Sequence, residues 1–116
     1  MKTKLLFPLF AICGYVSAQS WTQKLNFGGV KRQGAVGFSI GTKGYIGAGM
    51  LYGNYTYFDF WEYDPSANTW TQKVDVPGGK RGYAVGFSIG TKGYIGTGKD
   101  GFNGIGMNSL WSLPQG

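Results

Sequence analysis

The chain contains no histidine and a single cysteine, Cys13. Without histidine it lacks the most frequent general base and the most frequent transition-metal ligand. Acids are also scarce: five Asp and Glu stand against eleven Lys and Arg. That leaves few carboxylates for acid–base work. Long hydrophobic runs are missing as well. The one apolar stretch, residues 5–16, is too short to span a bilayer. No segment after it carries apolar residues at the 3.6-residue spacing of an amphipathic helix.

The first 18 residues read as a secretory signal. Lys2 and Lys4 give a basic start, residues 5–16 an apolar middle, and Val16-Ser17-Ala18 the small residues of a cleavage site. Cleavage near Ala18-Gln19 would send the rest to a periplasmic or extracellular location. Ile12 stands where a lipoprotein signal needs a small residue before its cysteine. Cys13 therefore leaves with the signal, and residues 19–116 have no disulfide, thiolate ligand or cysteine nucleophile. Loss of Lys2 and Lys4 lowers the net charge from +6 to +4. The remaining basic residues are spread along the chain, so they read as a solvated surface. Neither nucleic acid nor membrane insertion is expected.

What the chain does have is a repeat. Residues 21–49 read WTQKLNFGGVKRQGAVGFSIGTKGYIGAG and residues 70–98 read WTQKVDVPGGKRGYAVGFSIGTKGYIGTG. The offset is 49 residues without a gap, pairing Trp21 with Trp70, Arg32 with Arg81, Phe38 with Phe87 and Tyr45 with Tyr94. A period near 50 belongs to stacked supersecondary units. Within a copy the pattern is that of strands. In residues 34–40, Val36, Phe38 and Ile40 alternate with Ala35, Gly37 and Ser39, giving one bulky face and one small face. Gly41-Thr42-Lys43-Gly44 is a turn, so residues 34–40 and the strand opening at Tyr45 form a hairpin. A third strand is expected over 58–63 and a fourth over 69–74. Between them lies a turn begun by Pro65 and closed by Asn68, a residue tolerant of left-handed backbone. The unit is then a four-stranded antiparallel sheet. Small residues suit strands crowded at a shared axis. Trp61, Tyr63 and Trp70 are expected to fill the widening gap between sheets farther out.

These residues resemble a kelch repeat. The resemblance rests on Arg81, an apolar strand and Lys92-Gly93-Tyr94-Ile95-Gly96. It also rests on Phe60-Trp61-Glu62-Tyr63-Asp64-Pro65 followed by Asn68-Thr69-Trp70. It covers nearly all of residues 19–116, and the chain departs from the pattern where the family's Gly pair is split, as Gly47-Ala48-Gly49 and Gly96-Thr97-Gly98. Secreted bacterial kelch-like proteins and the central domain of galactose oxidase carry such repeats. The implied fold is all-β, with kelch-type propeller blades made from copies 21–69 and 70–116. Residues 21–25 are expected to be an isolated fourth strand. Propellers usually close with four to eight blades. About two are legible here, with a copy match around residues 108–112 that needs a one-residue shift. The expectation is a partial chain, or one that completes its ring by self-association.

The same resemblance brings enzymes into view. Kelch-like copper oxidases need histidine ligands and a cysteine crosslinked to tyrosine, which residues 19–116 lack. Sialidase propellers clamp a carboxylate with three arginines. Only Arg32 and Arg81 exist, and they occupy one repeat position, as structural residues do. Glu62 and Asp64 lie on one strand face about 7 Å apart, but Asp64 belongs to a turn where its carboxylate caps backbone amides. Asp100 and its neighbours lack the ligand count of a calcium loop. No catalytic residue, metal site or cofactor is expected. Tyr45, Tyr94, Trp61, Tyr63, Trp70 and the two arginines read as structural repeat residues. The copies diverge most over residues 50–56 and 99–107, at equivalent positions, which is how loops on one face of a scaffold vary. Tyr52, Asn54, Tyr55, Phe102 and Asn103 are the candidate contacts for a protein or glycan. The expected function is an exported, non-catalytic interaction module. The alternative is a piece of a sugar-active propeller, of sialic-acid mutarotase or glycoside hydrolase type, whose reacting groups lie in other blades.

Overall fold

A computed structural model describes residues 19–52 and 55–113. The signal expected over residues 1–18 lies outside the described residues. Seven strands and no helix occur among those described, so no helix is long and apolar enough to cross a membrane. The strands are β1 (Val36–Ile40), β2 (Lys43–Gly47), β3 (Phe60–Asp64), β4 (Thr69–Lys73), β5 (Val85–Ile89), β6 (Lys92–Gly96) and β7 (Leu110–Ser112). They form two antiparallel meanders, β1-β2-β3-β4 and β5-β6-β7, which are two blades of a propeller.

The turns follow from their residues. Ile40 pairs with Lys43, leaving a two-residue loop whose first position, Gly41, has φ +58°. Tight hairpin loops need a residue that tolerates positive φ there, which favours glycine. Between β3 and β4, Asp64 Oδ1 accepts from Ser66 N at 2.9 Å and from Ser66 Oγ at 2.7 Å. Asn68 closes that turn at φ +53°. The third strand begins at Phe60, two residues later than expected. Residues 57 and 58 spend their backbone groups elsewhere: Tyr57 O accepts from Arg81 N and Phe58 O from Val76 N, both outside the sheet.

The pleat sorts the side chains as the alternation requires. Val36 and Phe38 of β1, Tyr45 of β2 and Phe60 of β3 share a face by register. The rings of Phe38, Tyr45 and Phe60 lie with centroids 5.6–5.8 Å apart. This bulky face of the first blade rests on the small face of the second. A Cβ at Gly86 would overlap Val36 Cγ2, and one at Gly93 would overlap the Phe38 ring. Val36, Ala48, Phe60, Val76 and Ile95 form the buried core between the blades. Small faces on large ones let twisted sheets approach without voids.

Two expectations need correction. Residues 21–25 are not a strand; Trp21 is fully exposed at 102%. A strand needs a ladder partner, and the described residues contain no further sheet to supply one. The segment is tied instead through Asn68 and Trp70: Leu25 N donates to Asn68 Oδ1 at 3.0 Å, and Trp70 Nε1 donates to Leu25 O at 3.1 Å. Nor do Trp61, Tyr63 and Trp70 fill the gap between these two blades. Register puts them on the opposite face, where Trp61 and Trp70 meet Phe27 edge-on at 5.9 and 5.1 Å. Their counterpart on the second blade, Trp111, does line the gap, with Phe38 and Phe60.

Candidate functional site

The sheets lift four connections to one end: the segments between β2 and β3, β4 and β5, β6 and β7, and the segment entering β1. Each is fixed by backbone bridges. Met50 pairs with Gln33 and Thr56, and Lys99 with Gly82 and Gly106. The second loop, from 99 to 107, is one residue longer than its counterpart. That insertion is why Leu110 pairs opposite Gly96 as Phe60 does opposite Gly47.

Two buried arginines carry the loops. Arg32, whose side chain is 3% exposed, makes a forked pair with Asp59, at 2.6 and 2.9 Å. It also donates to Ala48 O at 3.0 Å and Val30 O at 2.9 Å and stacks over Phe27 and Tyr57. Burial works against the Asp59 carboxylate, but hydrogen bonds from Arg32 and Trp61 prevail and hold its pKa below 3.8. Arg81 is wholly buried and has no carboxylate beside it among the described residues. Ser109 stands where Asp59 does, and the guanidinium donates to Ser109 Oγ at 3.1 Å and to the carbonyls of Thr97, Pro77, Gly78 and Gly79. Burial pushes its pKa down. Both arginines are thus committed to backbone and packing, and neither reaches a ligand cleft.

The carboxylates on β3 are committed too. Glu62 accepts from Tyr45 Oη at 2.8 Å, and Lys43 lies 3.2 Å from Asp64 and 3.9 Å from Glu62. Burial and the Glu62 charge push the Tyr45 hydroxyl up to about 12. Hydrogen bonds from Ser66 and Lys43 hold Asp64 at about 2. No cluster of three metal-ligating side chains exists among the described residues.

What remains open is a cleft of about 430 Å³ between the two divergent loops, lined by Tyr55, Thr56, Gly79, Lys80, Asp100, Phe102 and Met107. Of the candidate contacts, Tyr55 and Phe102 come together here, 73% and 78% exposed. Tyr52 is exposed but does not line it. Asn103 turns the loop by accepting from Ile105 N at 3.2 Å. Asn54 lies outside the described residues. Asp100 uses one oxygen to accept from Phe102 N at 2.9 Å, and Lys80 sits 5.7 Å from the Phe58 ring. Neither makes an ion pair among the described residues. The cleft thus offers two rings, a hydroxyl, a cation and a carboxylate, the composition of a binding cleft with a few orienting polar groups. Lys80 was not visible as a site residue because its repeat position in the first copy also holds a lysine, Lys31, so it does not stand out as divergent. A second, apolar cleft of about 200 Å³ is lined by Phe38, Phe60, Val76, Ile95 and Trp111 among others. It is continuous with the core, so its lining serves blade packing.

No family model matches the sequence, and no curated protein does. Among solved structures the chain is similar in fold to one described as the structure of YjhT, with a TM-score of 0.65 at 22% identity. The match covers 75% of this chain and 27% of that one. The chain therefore spans about a quarter of the length of the structure it resembles.

Proposed function

We propose that the chain is a non-catalytic, kelch-type interaction module, exported by its N-terminal signal, and that the cleft between residues 50–57 and 99–107 holds a glycan or a protein segment. The observation that carries this reading is the meeting of Tyr55 and Phe102 across a cleft that also presents Lys80 and Asp100. Exposed rings with few competing contacts supply stacking area at low entropy cost, and the Lys80 ammonium and the Asp100 carboxylate orient a polar ligand. The carboxylates that could run hydrolysis, Glu62 and Asp64, are bound to Lys43 and to a turn. The test is binding to a panel of immobilised neutral and acidic oligosaccharides and unstructured peptides. Tyr55→Ala and Phe102→Ala should each weaken binding at least about tenfold, equivalent to about 1.4 kcal/mol. Unchanged binding by both variants would sink the reading.

A second reading is favoured by the fold likeness to a much longer chain. In it these blades belong to a sugar-active propeller of mutarotase or glycoside hydrolase type, and the cleft contributes to substrate binding while other blades supply the reacting groups. Turnover of a sugar by the chain joined to further blades, and none by the chain alone, would separate this reading from the first.

A further inference from the structure

Each blade has a bulky face and a small face, and only one of each is covered among the described residues. The bulky face of β1–β2 meets the small face of β5–β6. The other two faces are open. Val85 and Ile89 on the bulky face of β5 are 53% and 66% exposed, whereas Val36 of β1 is 5% exposed. Gly37 and Gly44 on the small face of the first blade are the counterparts of Gly86 and Gly93. A Cβ at Gly37 meets only Tyr45 O at 3.4 Å and Ile46 Cγ1 at 3.7 Å. Because residues 35–47 and 84–96 are identical, the open bulky face and the open small face carry the same side chains as the pair that already packs.

The backbone makes the same case. Four hydrogen bonds join the first blade to the chain entering the second: Val76 N to Phe58 O, Arg81 N to Tyr57 O, Gly49 N to Arg81 O and Tyr83 N to Gly34 O, at 2.7–3.2 Å. Their repeat equivalents would be Phe27 N to Asn108 O, Arg32 N to Met107 O, Gly98 N to Arg32 O and Gly34 N to Tyr83 O. None of these eight groups has a backbone partner among the described residues. Three of these pairs, Phe27 with Asn108, Arg32 with Met107 and Gly98 with Arg32, take donor and acceptor from different blades, as a second copy would supply them, whereas Gly34 and Tyr83 already touch through Tyr83 N and Gly34 O. Core volume also matches. Phe60 and Val76 share the core between the blades. Their equivalents are Leu110 and Phe27, a smaller residue opposite a larger one.

We propose that the open bulky face of β5–β6 takes the open small face of β1–β2 of a second copy of this chain, head to tail, repeating the contact between its own two blades. Such heterologous contacts close into rings when the rotation allows. With two blades per copy and four to eight per propeller, closure needs about two to four copies.

The test is light scattering on the full chain during size exclusion. The expected result is a discrete particle of two to four chains. Gly37→Val and Gly44→Val should convert it to monomers with an unchanged far-ultraviolet dichroism spectrum, because both positions have room in the single chain and none in the stack. Phe87→Ser, on the opposite open face, should do the same, and it keeps the test valid if either glycine variant fails to fold. A monomeric wild-type chain would overturn the proposal, as would a particle or aggregate that survives Gly37→Val, Gly44→Val and Phe87→Ser.

Discussion

Residues 35–47 and 84–96 are the same thirteen residues in the same hairpin, yet they live in different surroundings. In the first copy Val36 is buried and its opposite face lies open. In the second copy Val85 is half exposed, and Gly93 and Ile95 on the opposite face are buried. Local sequence set the strand, the turn and the pleat in both. Burial was decided by which neighbour each face met. A second contrast runs in parallel: Arg32 has Asp59, while Arg81, more deeply buried, has only Ser109 and carbonyls among the described residues. The first copy holds its loops with a forked ion pair, and the second holds them with neutral acceptors.

The largest expected break in this symmetry is at the core. Phe60→Ala should cost about 3–5 kcal/mol in urea denaturation of the dilute, monomeric chain. The matched Leu110→Ala, at an exposed site, should cost about 1 kcal/mol or less. Equal losses would mean that the two blades do not differ as described. Next in size, Asp59→Asn should cost about 3 kcal/mol, because it leaves the buried Arg32 charge without its partner. The reverse change, Ser109→Asp, should add about 1 kcal/mol by giving Arg81 the carboxylate that Arg32 has. The pH dependence checks the sign. The folded-state pKa of Asp59 lies below 3.8, so its contribution is present above the unfolded-state value. It is lost as pH falls through the folded-state value. Acid titration of stability should therefore be steeper for wild type than for Asp59→Asn, and steeper still for Ser109→Asp.

Overpacking comes third. Gly93→Ala should cost about 1–3 kcal/mol by driving a methyl into the Phe38 ring. Gly44→Ala in the first copy, where the nearest atom is Tyr63 Cβ at 3.9 Å, should be close to neutral in the monomer. Smallest is Thr97→Gly. Thr97 is β-branched and held at φ +59°, which strains an L residue by about 1 kcal/mol. The glycine variant should be more stable by a similar amount, read as a shift in the denaturation midpoint.

The parts of this structure that show in the sequence are the local ones. The 36–47 hairpin, the Asp64 cap and left-handed Asn68 follow from alternation and turn chemistry within a few residues. The one-residue shift near Leu110 was visible, but its source in the 99–107 loop needed the pairing register. What did not show depends on partners distant in the chain. Residues 21–24 look like residues 70–73, yet only the latter find a strand to pair with. Trp61 has the composition of a gap filler, yet it points away from the only neighbouring blade among the described residues. In the cleft, Tyr55 and Phe102 were legible because the loops diverge. Lys80 was hidden because lysine also stands at its repeat position, Lys31.

The central claim is that one blade's bulky face seats on the next blade's small face through Val36 and Gly86. A double-mutant cycle with Val36→Ala and Gly86→Ala tests it most directly. Gly86→Ala alone should destabilise by about 1–3 kcal/mol. In the Val36→Ala background, where the obstructing Cγ atoms are gone, the same change should cost far less, giving a coupling of about 1 kcal/mol or more. Strict additivity of the two changes would contradict the stacking and, with it, the account of both open faces.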